Sequence, residues 1–365
     1  MTRTRAREFG ISVAGHPGPN NAITDVPGVQ VGHVTVVEGD AVRTGITAVR
    51  PRTGDASPVF AGQFVLNGNG EMTGSAWIAE SGFLDGPVLL TNTHSVGTVR
   101  DGYIRWLVET GQTPATNAGV SGGFWALPVV AETFDGVLND INGFHLTYDH
   151  VKQCLESCEA GPVAEGAIGA GTGTIAFGFK AGIGTASRIV DSAEYQFRLG
   201  VLVQSNCGLM QQLVMNGAPI GIELARALAD SAESAVERGS IIIVIATDAP
   251  LLPHQINRLA KRAAMGLART GSSAGNGSGD LIVAFSTAPV SVAGAAASHG
   301  ISSVDMLRNE LMSPLFEAVV QATEEAILNS LFAADSMTGR DGSHAAAMPL
   351  DSVRAILRQY RALDC

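Results

Sequence analysis

Residues 241–245, all isoleucine or valine, constrain the fold of this 365-residue chain more than any other stretch. Neighbouring side chains of a strand point to opposite faces, so an unbroken apolar run predicts a strand that is covered on both faces. Such a strand belongs inside a layered α/β structure, with helices or a second sheet on each side. Gly239 and Ser240 directly precede it. This pair is typical of an ordinary strand entry, and equally of the place where self-cleaving hydrolases carry their nucleophile.

Other apolar runs predict further buried strands and the helices that cover them. The strands are expected at 88–91, 125–131, 198–204, 241–247 and 281–285. Helices are expected at 97–110, 253–270, 314–332 and 350–361, with Val99, Ile104, Leu107 and Val108 of the first facing the core. The basic side chains of the second are expected to be solvated. No repeat or linker divides the chain, so we predict one domain over residues 1–365.

Composition narrows the class of protein. Charged residues make up only 16% of the chain and apolar residues 45%, whereas an average globular domain has about 25% charged residues. This balance predicts a large core or surface that is buried between subunits. A net charge of −11 argues against nucleic acid and anionic membranes, which require a basic face. No apolar signal segment follows the basic N-terminus, so we expect a cytoplasmic protein without a membrane anchor.

Neither a metal nor another cofactor is expected. Cys154 and Cys158 are four residues apart on a predicted helix, while Cys207 and Cys365 are isolated, which favours reduced thiols over disulfides or a zinc site. The glycine-rich stretch 166–174 lacks the G-x-G-x-x-G order and precedes an apparent strand at 175–180. Glycines that allow strands to approach closely explain it better than a phosphate-binding loop.

Several polar residues stand at the ends of predicted strands. Glu132 follows the strand at 125–131, and His94 follows the strand at 88–91. We interpret His94 as an ordinary strand-end histidine rather than as the base of a catalytic triad. Ser278 and Asp280 enter the strand at 281–285. They form either a solvated loop or a hydroxyl–carboxylate pair that takes part in chemistry.

The order of several motifs identifies a family resemblance. The motifs occupy residues 23–29, 89–93, 128–133, 182–188, 201–204, 239–242 and 276–280. With these segments the chain resembles the DmpA-type L-aminopeptidase/D-amino-acid esterases, a family that includes β-peptidyl aminopeptidases. The resemblance implies a four-layer αββα sandwich, which this family shares with the ornithine acetyltransferases. It also implies self-cleavage between Gly239 and Ser240, giving chains 1–239 and 240–365. Ser240 would then be both nucleophile and N-terminal residue.

The resemblance also implies roles for other residues. Ser278 and Asp280 would support the nucleophile, with Asp280 standing where the β-peptidyl enzymes carry glutamate. Asn206 would donate to the oxyanion, and Glu132 would hold the free ammonium of the substrate. Trp125 and Phe134 are expected beside the substrate. Related enzymes carry a tyrosine that donates to the oxyanion at the position of Phe134; here Tyr148 or a backbone amide would replace that donor.

The implied function is that of an aminopeptidase, amidase or esterase that releases L-, D- or β-aminoacyl groups from short peptides, amides or esters. The family also suggests a homo-oligomer, a tetramer of αβ units. One alternative is an amine acyltransferase of the ornithine acetyltransferase type, although those enzymes use threonine where this chain has Ser240. A second alternative is a ligand-binding module built on the glycine-rich stretches, which would not cleave itself.

Overall fold

The computed structural model describes residues 4–53, 57–112, 123–227, 239–289 and 303–363. Its strands are β1 Gln30–Glu38, β2 Val42–Arg50, β3 Val59–Gly68, β4 Phe83–Leu84, β5 Val88–Asn92, β6 Val129–Thr133, β7 Ile175–Ala176, β8 Phe179–Lys180, β9 Ile183–Ser192, β10 Tyr195–Asn206, β11 Ser240–Thr247, β12 Gly279–Ser286, β13 Met337–Thr338 and β14 His344–Ala345. Its helices are α1 Ala6–Phe9, α2 Ser75–Ser81, α3 Val96–Thr110, α4 Tyr148–Glu156, α5 Ile220–Ala227, α6 Pro253–Arg269, α7 Ser313–Phe332 and α8 Leu350–Gln359.

Two large sheets form the two inner layers. The smaller sheet has the strand order β1-β2-β5-β6, and the larger has the order β4-β3-β12-β11-β10-β9. One apolar cluster fills the space between the sheets. A second packs α6 and α7 onto the larger sheet, and a third packs α3 and α4 onto the smaller one. The predicted αββα sandwich is thereby confirmed.

Strand β11 lies inside the larger sheet and is buried along its whole length. Ile241, Ile243 and Ile245 point into the helix-covered core. Ile242, Val244 and Ala246 point into the core between the sheets. This alternation is the physical reason for the unbroken apolar run, because both faces of the strand need apolar cover.

The basic face of α6 is more than a solvated surface. The guanidinium of Arg262 lies 4.0 Å from the ring centroid of Phe316 on α7, and Arg269 forms a 2.8 Å ion pair with Glu324 on the same helix. These contacts join the two helices that cover the larger sheet. Arg269 nevertheless stays 52% exposed, as expected of a solvated stripe, whereas Arg262 is partly buried and departs from that expectation.

Three local predictions also need correction. The strand predicted at 125–131 is β6 at Val129–Thr133, so Trp125 lies in the irregular segment before it. The strand predicted at 175–180 is a tight hairpin of two short strands, β7 and β8. On α3, Val108 is 63% exposed, while Tyr103 and Trp106 fill the core position instead.

Candidate active site

Ser240, the predicted nucleophile, is the first residue of β11 and is only 5% exposed. Its partner on the antiparallel strand β10 is Asn206, and its partner on the parallel strand β12 is Gly279. The backbone N–H of Gly279 donates a 3.1 Å hydrogen bond to Ser240 Oγ. The sheet therefore fixes the hydroxyl between the ends of two strands that come from distant parts of the chain.

Gly239 leaves no room for a side chain. A Cβ at this position would clash with the carbonyl oxygen of Asn206 and would lie 2.7 Å from Cys207 Cα. Backbone atoms cannot move aside as the end of a flexible side chain can, so this close approach requires glycine. The absence of a side chain also leaves the Gly239 carbonyl open to attack from Ser240.

Ser278 and Asp280 flank Gly279 at the start of β12, and both are completely buried. Ser278 Oγ donates a 2.6 Å hydrogen bond to Asp280 Oδ1. The aspartate arm is therefore long enough to reach the serine hydroxyl. Because the Ser278 hydroxyl is the donor in this hydrogen bond, the lone pairs of its oxygen remain available to accept another one.

Two asparagines from the end of β3 and its turn brace the loop before Ser278. Asn67 Nδ2 donates to the carbonyl oxygen of Gly275 at 2.6 Å, and Asn69 Nδ2 donates to that of Gly277 at 2.8 Å. Both amides thus fix the backbone that leads into Ser278. Neither asparagine was predicted to support the site, although two Asn-Gly pairs in succession are a signal of a specific backbone path.

Asn206 is the last residue of β10, which extends two residues beyond the strand predicted at 198–204. Its Oδ1 accepts a 2.9 Å hydrogen bond from the backbone N–H of Ile175. An N–H can only donate, so this contact fixes which branch of the amide is oxygen. The other branch is the NH₂ group, which gives Asn206 two donors beside the start of β11.

Glu132 is a buried carboxylate near the end of β6. Its Oε1 accepts a 3.0 Å hydrogen bond from the Glu71 backbone N–H, and its Oε2 accepts one from Thr93 Oγ1. Burial raises the pKa of Glu132, and these two hydrogen bonds act in the opposite direction. Sequence reasoning assigned Thr93 no role, although it belongs to one of the family motifs.

Gly70 lies between this carboxylate and the start of β12, the strand that pairs with β11 at Ser240. A Cβ at Gly70 would lie 3.2 Å from Glu132 Oε1 and 3.3 Å from Gly279 Cα. Glu132 on the smaller sheet and Gly279 on the larger sheet thus lie on either side of one glycine. The structure therefore places Glu132 close to Gly279, the strand partner of Ser240.

The two aromatic residues predicted to contact substrate lie on the surface. Phe134 is 41% exposed and follows β6 directly, and its ring lies close to Gly136. Trp125 is 46% exposed, and its ring meets that of Trp77 edge-on at 6.0 Å. Phe134 therefore adjoins Glu132 along the chain, whereas Trp125 packs against Trp77 on α2.

Tyr148 and His94 are both engaged away from Ser240. The Tyr148 hydroxyl donates to Glu109 on α3 in the outer layer, so it does not replace the donor that Phe134 lacks. His94 lies over the ring of Phe144, with 6.3 Å between the centroids. In the part of the chain that the structure describes, no contact pairs His94 with Ser240 as base and nucleophile, which agrees with the interpretation of His94 as an ordinary histidine.

Gln204 joins the two sheets beneath this site, a role that nothing in the sequence indicated beyond its place in a family motif. It is completely buried on β10. Its Nε2 donates to Thr133 Oγ1 at 2.8 Å and to the carbonyl oxygens of Thr91 and Ala170, each at 3.0 Å. These contacts set the separation between β10 and the ends of β5 and β6.

Comparisons with known proteins agree with this geometry. A model of peptidase family S58 matches residues 21–345. The "Beta-peptidyl aminopeptidase BapA" of Sphingosinicella microcystinivorans is 48% identical over 98% of this chain and 93% of that protein. The protein of the same name from Sphingosinicella xenopeptidilytica is 42% identical over 97% and 91%.

A solved structure shows the same fold. The L-aminopeptidase D-Ala-esterase/amidase of Ochrobactrum anthropi, described as a variant of the Ntn hydrolase fold, superposes with a TM-score of 0.89 at 42% identity and covers 99% of each chain. The comparisons do not favour the acyltransferase alternative. The chain therefore belongs to peptidase family S58 and is an aminopeptidase, a hydrolase that acts on peptide bonds.

Proposed function

We propose that this aminopeptidase first cleaves its own chain between Gly239 and Ser240, and then uses Ser240 to release N-terminal β-aminoacyl residues from short peptides and amides. The observation that carries the proposal is the position of Glu132, across Gly70 from the strand partner of Ser240. A buried carboxylate at that place can hold the ammonium of a substrate whose carbonyl lies at the serine hydroxyl.

Maturation follows from the contacts of Ser240. Its Oγ attacks the carbonyl carbon of Gly239, the C–N bond breaks, and the nitrogen of Ser240 leaves as a free amine. Water then hydrolyses the ester, which gives a carboxylate at Gly239 and regenerates the hydroxyl. Because the backbone packs directly against Gly239, the scissile carbonyl has little freedom to move away from the hydroxyl.

Turnover uses the groups that maturation creates. The α-amine of Ser240 has an ordinary pKa of about 8, so its neutral form can take the proton of the hydroxyl. Ser278 Oγ accepts a hydrogen bond from this amine, while Asp280 keeps Ser278 oriented through the 2.6 Å contact. The Asn206 NH₂ group donates to the oxyanion. Ser240 Oγ bonds to the substrate carbonyl carbon, the C–N bond breaks, and the protonated Ser240 amine gives its proton to the leaving amine. Water then hydrolyses the seryl ester, which releases the amino acid and regenerates the hydroxyl.

The preference for a β-aminoacyl group rests on the two relatives named as β-peptidyl aminopeptidases, at 48% and 42% identity. A β-amino acid places its ammonium one carbon farther from the carbonyl than an α-amino acid does. Glu132 stands on the opposite sheet from Ser240, so the ammonium and the carbonyl of a bound substrate would contact different sheets.

We also propose that the enzyme works as a cytoplasmic homo-oligomer without a nucleic-acid partner. The low charged fraction and net charge of −11, exposed apolar side chains such as Met265, and the reduced thiols of Cys154 and Cys158 support this. Within the described ranges, no helix is long and apolar enough to cross a bilayer.

A panel of p-nitroanilides tests the substrate class. The purified enzyme is assayed with β-homoalanyl, L-alanyl and D-alanyl p-nitroanilide, together with a propionyl anilide that lacks the amine. The expected order of kcat/KM places the β-homoalanyl compound first and the propionyl compound last. Equal rates with and without the amine would contradict the role given to Glu132, and a faster L- or D-alanyl substrate would contradict the β-preference.

A further inference from the structure

The β7–β8 hairpin, residues 175–180, packs against the end of β10. Its two-residue turn consists of Phe177 and Gly178, which have positive φ values of 49° and 75°. Positive φ is unfavourable for a bulky side chain such as phenylalanine. The completely buried ring of Phe177 packs against Gly208 and so holds the turn in place. The backbone N–H of Phe177 donates a 2.8 Å hydrogen bond to the carbonyl oxygen of Cys207.

The hairpin also determines where the N–H of Ile175 points. Ile175 pairs with Lys180, and Ala176 pairs with Phe179. Antiparallel pairs alternate between hydrogen-bonded and non-hydrogen-bonded partners, and the amides of a non-hydrogen-bonded pair point away from the other strand. Ile175 and Lys180 are such a pair: the Lys180 N–H donates to the Ala346 carbonyl, and the Ile175 N–H donates to Asn206 Oδ1.

Lys180 is completely buried, and its ammonium donates to three backbone carbonyls. Its Nζ donates to the carbonyl oxygens of Gly171, Thr174 and Ala181 at 3.2, 2.9 and 2.6 Å. An ammonium has three protons, and here each has an acceptor. Burial lowers the pKa of Lys180 to about 7, while the three carbonyls favour the charged form. One side chain thus ties residues 171–174, which lead into Ile175, to the strand opposite.

We propose that Lys180 is a positioning residue for the oxyanion site: it fixes the hairpin so that the Ile175 N–H holds Asn206 Oδ1 and turns the Asn206 NH₂ group towards the reacting carbonyl. The inference rests on the proposed role of Asn206. In this proposal the glycine-rich stretch 166–174 and Lys180 position a catalytic side chain and do not bind a ligand.

A double-mutant cycle tests this. The variants are Lys180→Met, Asn206→Ala and the two combined, with Lys261→Met on the outer face of α6 as the matched control. One preferred anilide is used, and rates are normalised to the cleaved fraction. Loss of one oxyanion donor costs about 10²–10³ in kcat. We expect Lys180→Met to lose about 10- to 10²-fold in kcat with KM nearly unchanged, and to lose almost nothing further when Asn206 is already alanine.

Two results would overturn the proposal: a full multiplicative loss in the double variant, or a change in KM alone. Both would show that Lys180 acts on the enzyme by a route other than Asn206. An Asn206→Ala variant with undiminished kcat is a different outcome, because it refutes the proposed role of Asn206 itself.

A second variant covers the case in which Lys180→Met does not fold. Ile175→Pro removes the N–H that holds Asn206 Oδ1 while leaving the acceptors of Lys180 in place. The same kcat loss is expected, again absent on the Asn206→Ala background. A wild-type kcat for Ile175→Pro, with folding verified by thermal unfolding, would contradict the proposed path from the hairpin to Asn206.

Discussion

The hydroxyl of Ser240 and the backbone N–H of Gly279 are joined by a 3.1 Å hydrogen bond across the parallel pair β11–β12. Gly279 stands between Ser278 and Asp280, and Gly70 separates it from Glu132. One backbone position thus adjoins the proposed nucleophile, the Ser278–Asp280 pair and, across Gly70, the carboxylate of Glu132. The register of β11 against β12 therefore assembles the site.

The first prediction concerns maturation. We expect the purified enzyme to contain two chains, 1–239 and 240–365, and the smaller chain to begin with Ser240. Ser240→Ala should remain one chain without activity, since no other side chain can form the ester. Intact mass measurement and N-terminal sequencing check both statements. A single full-length chain in a fully active preparation would refute self-cleavage.

The second prediction concerns Gly239. Its Cβ would meet the backbone of Asn206 and Cys207, so Gly239→Ala should destabilise the precursor by about 1–3 kcal/mol, as overpacking does. It should also slow self-cleavage. Gly97→Ala is the control, because a Cβ there meets nothing within 4 Å and alanine favours a helix. Denaturant unfolding of both variants on the cleavage-deficient Ser240→Ala background gives the comparison, and equal stabilities would contradict the prediction.

The third prediction concerns Ser278 and Asp280. Ser278→Ala and Asp280→Asn should leave the fold intact while slowing both self-cleavage and turnover, because the Ser240 nitrogen, an amide before cleavage and an amine after it, loses its oriented acceptor. Asp280→Glu should retain more activity than Asp280→Asn, since it keeps the charge that holds Ser278. Thermal unfolding separates folding from function, and turnover of the anilide measures the effect. A rate for Asp280→Asn equal to that of the parent enzyme would show that the pair is only structural.

The fourth prediction is the pH dependence that Glu132 introduces. Burial raises the pKa of Glu132, and only its ionised form binds the substrate ammonium. Activity therefore falls as the pH drops through this pKa, at a higher pH than for an exposed glutamate with its pKa of about 4.3. The Ser240 amine must also be neutral, so log(kcat/KM) should fall with a slope of about one below pH 8 and of about two below the pKa of Glu132.

Glu132→Gln separates these two ionisations. It should raise KM strongly for the amino substrate, leave the propionyl anilide unaffected, and keep a slope of about one at low pH. Rate profiles of the parent enzyme and this variant from pH 4 to 9 provide the measurement. A slope of two that persists in Glu132→Gln would assign the second ionisation to another group.

The sequence predicted the layers well because they depend on local patterns. The apolar run at 241–245 indicated a strand covered on both faces, and it placed Ser240 at the strand entry. The strand partners of Ser240 could not be predicted this way, because Gly279 lies 39 residues away and pairing over that distance leaves no local pattern. For the same reason Asn67, Asn69 and Lys180 gave no sign that they support the site. Trp125 was placed in a strand because its apolar neighbours resemble one.

The last prediction concerns the donor that Phe134 cannot supply. Tyr148 is engaged with Glu109, so Asn206 remains the principal side-chain donor of the proposed oxyanion site, and Asn206→Ala should lose about 10²–10³ in kcat. Asn206→Asp should be equally severe although it is isosteric, because one carboxylate oxygen can still accept from Ile175 while the other repels the oxyanion.

Phe134→Tyr should raise kcat with little change in KM if the new hydroxyl reaches the oxyanion, since that bond exists mainly in the transition state. Steady-state kinetics on one anilide measures all three variants. A mild Asn206→Ala together with no gain for Phe134→Tyr would instead assign the oxyanion to backbone amides, of which the Gly279 N–H is already directed at Ser240 Oγ.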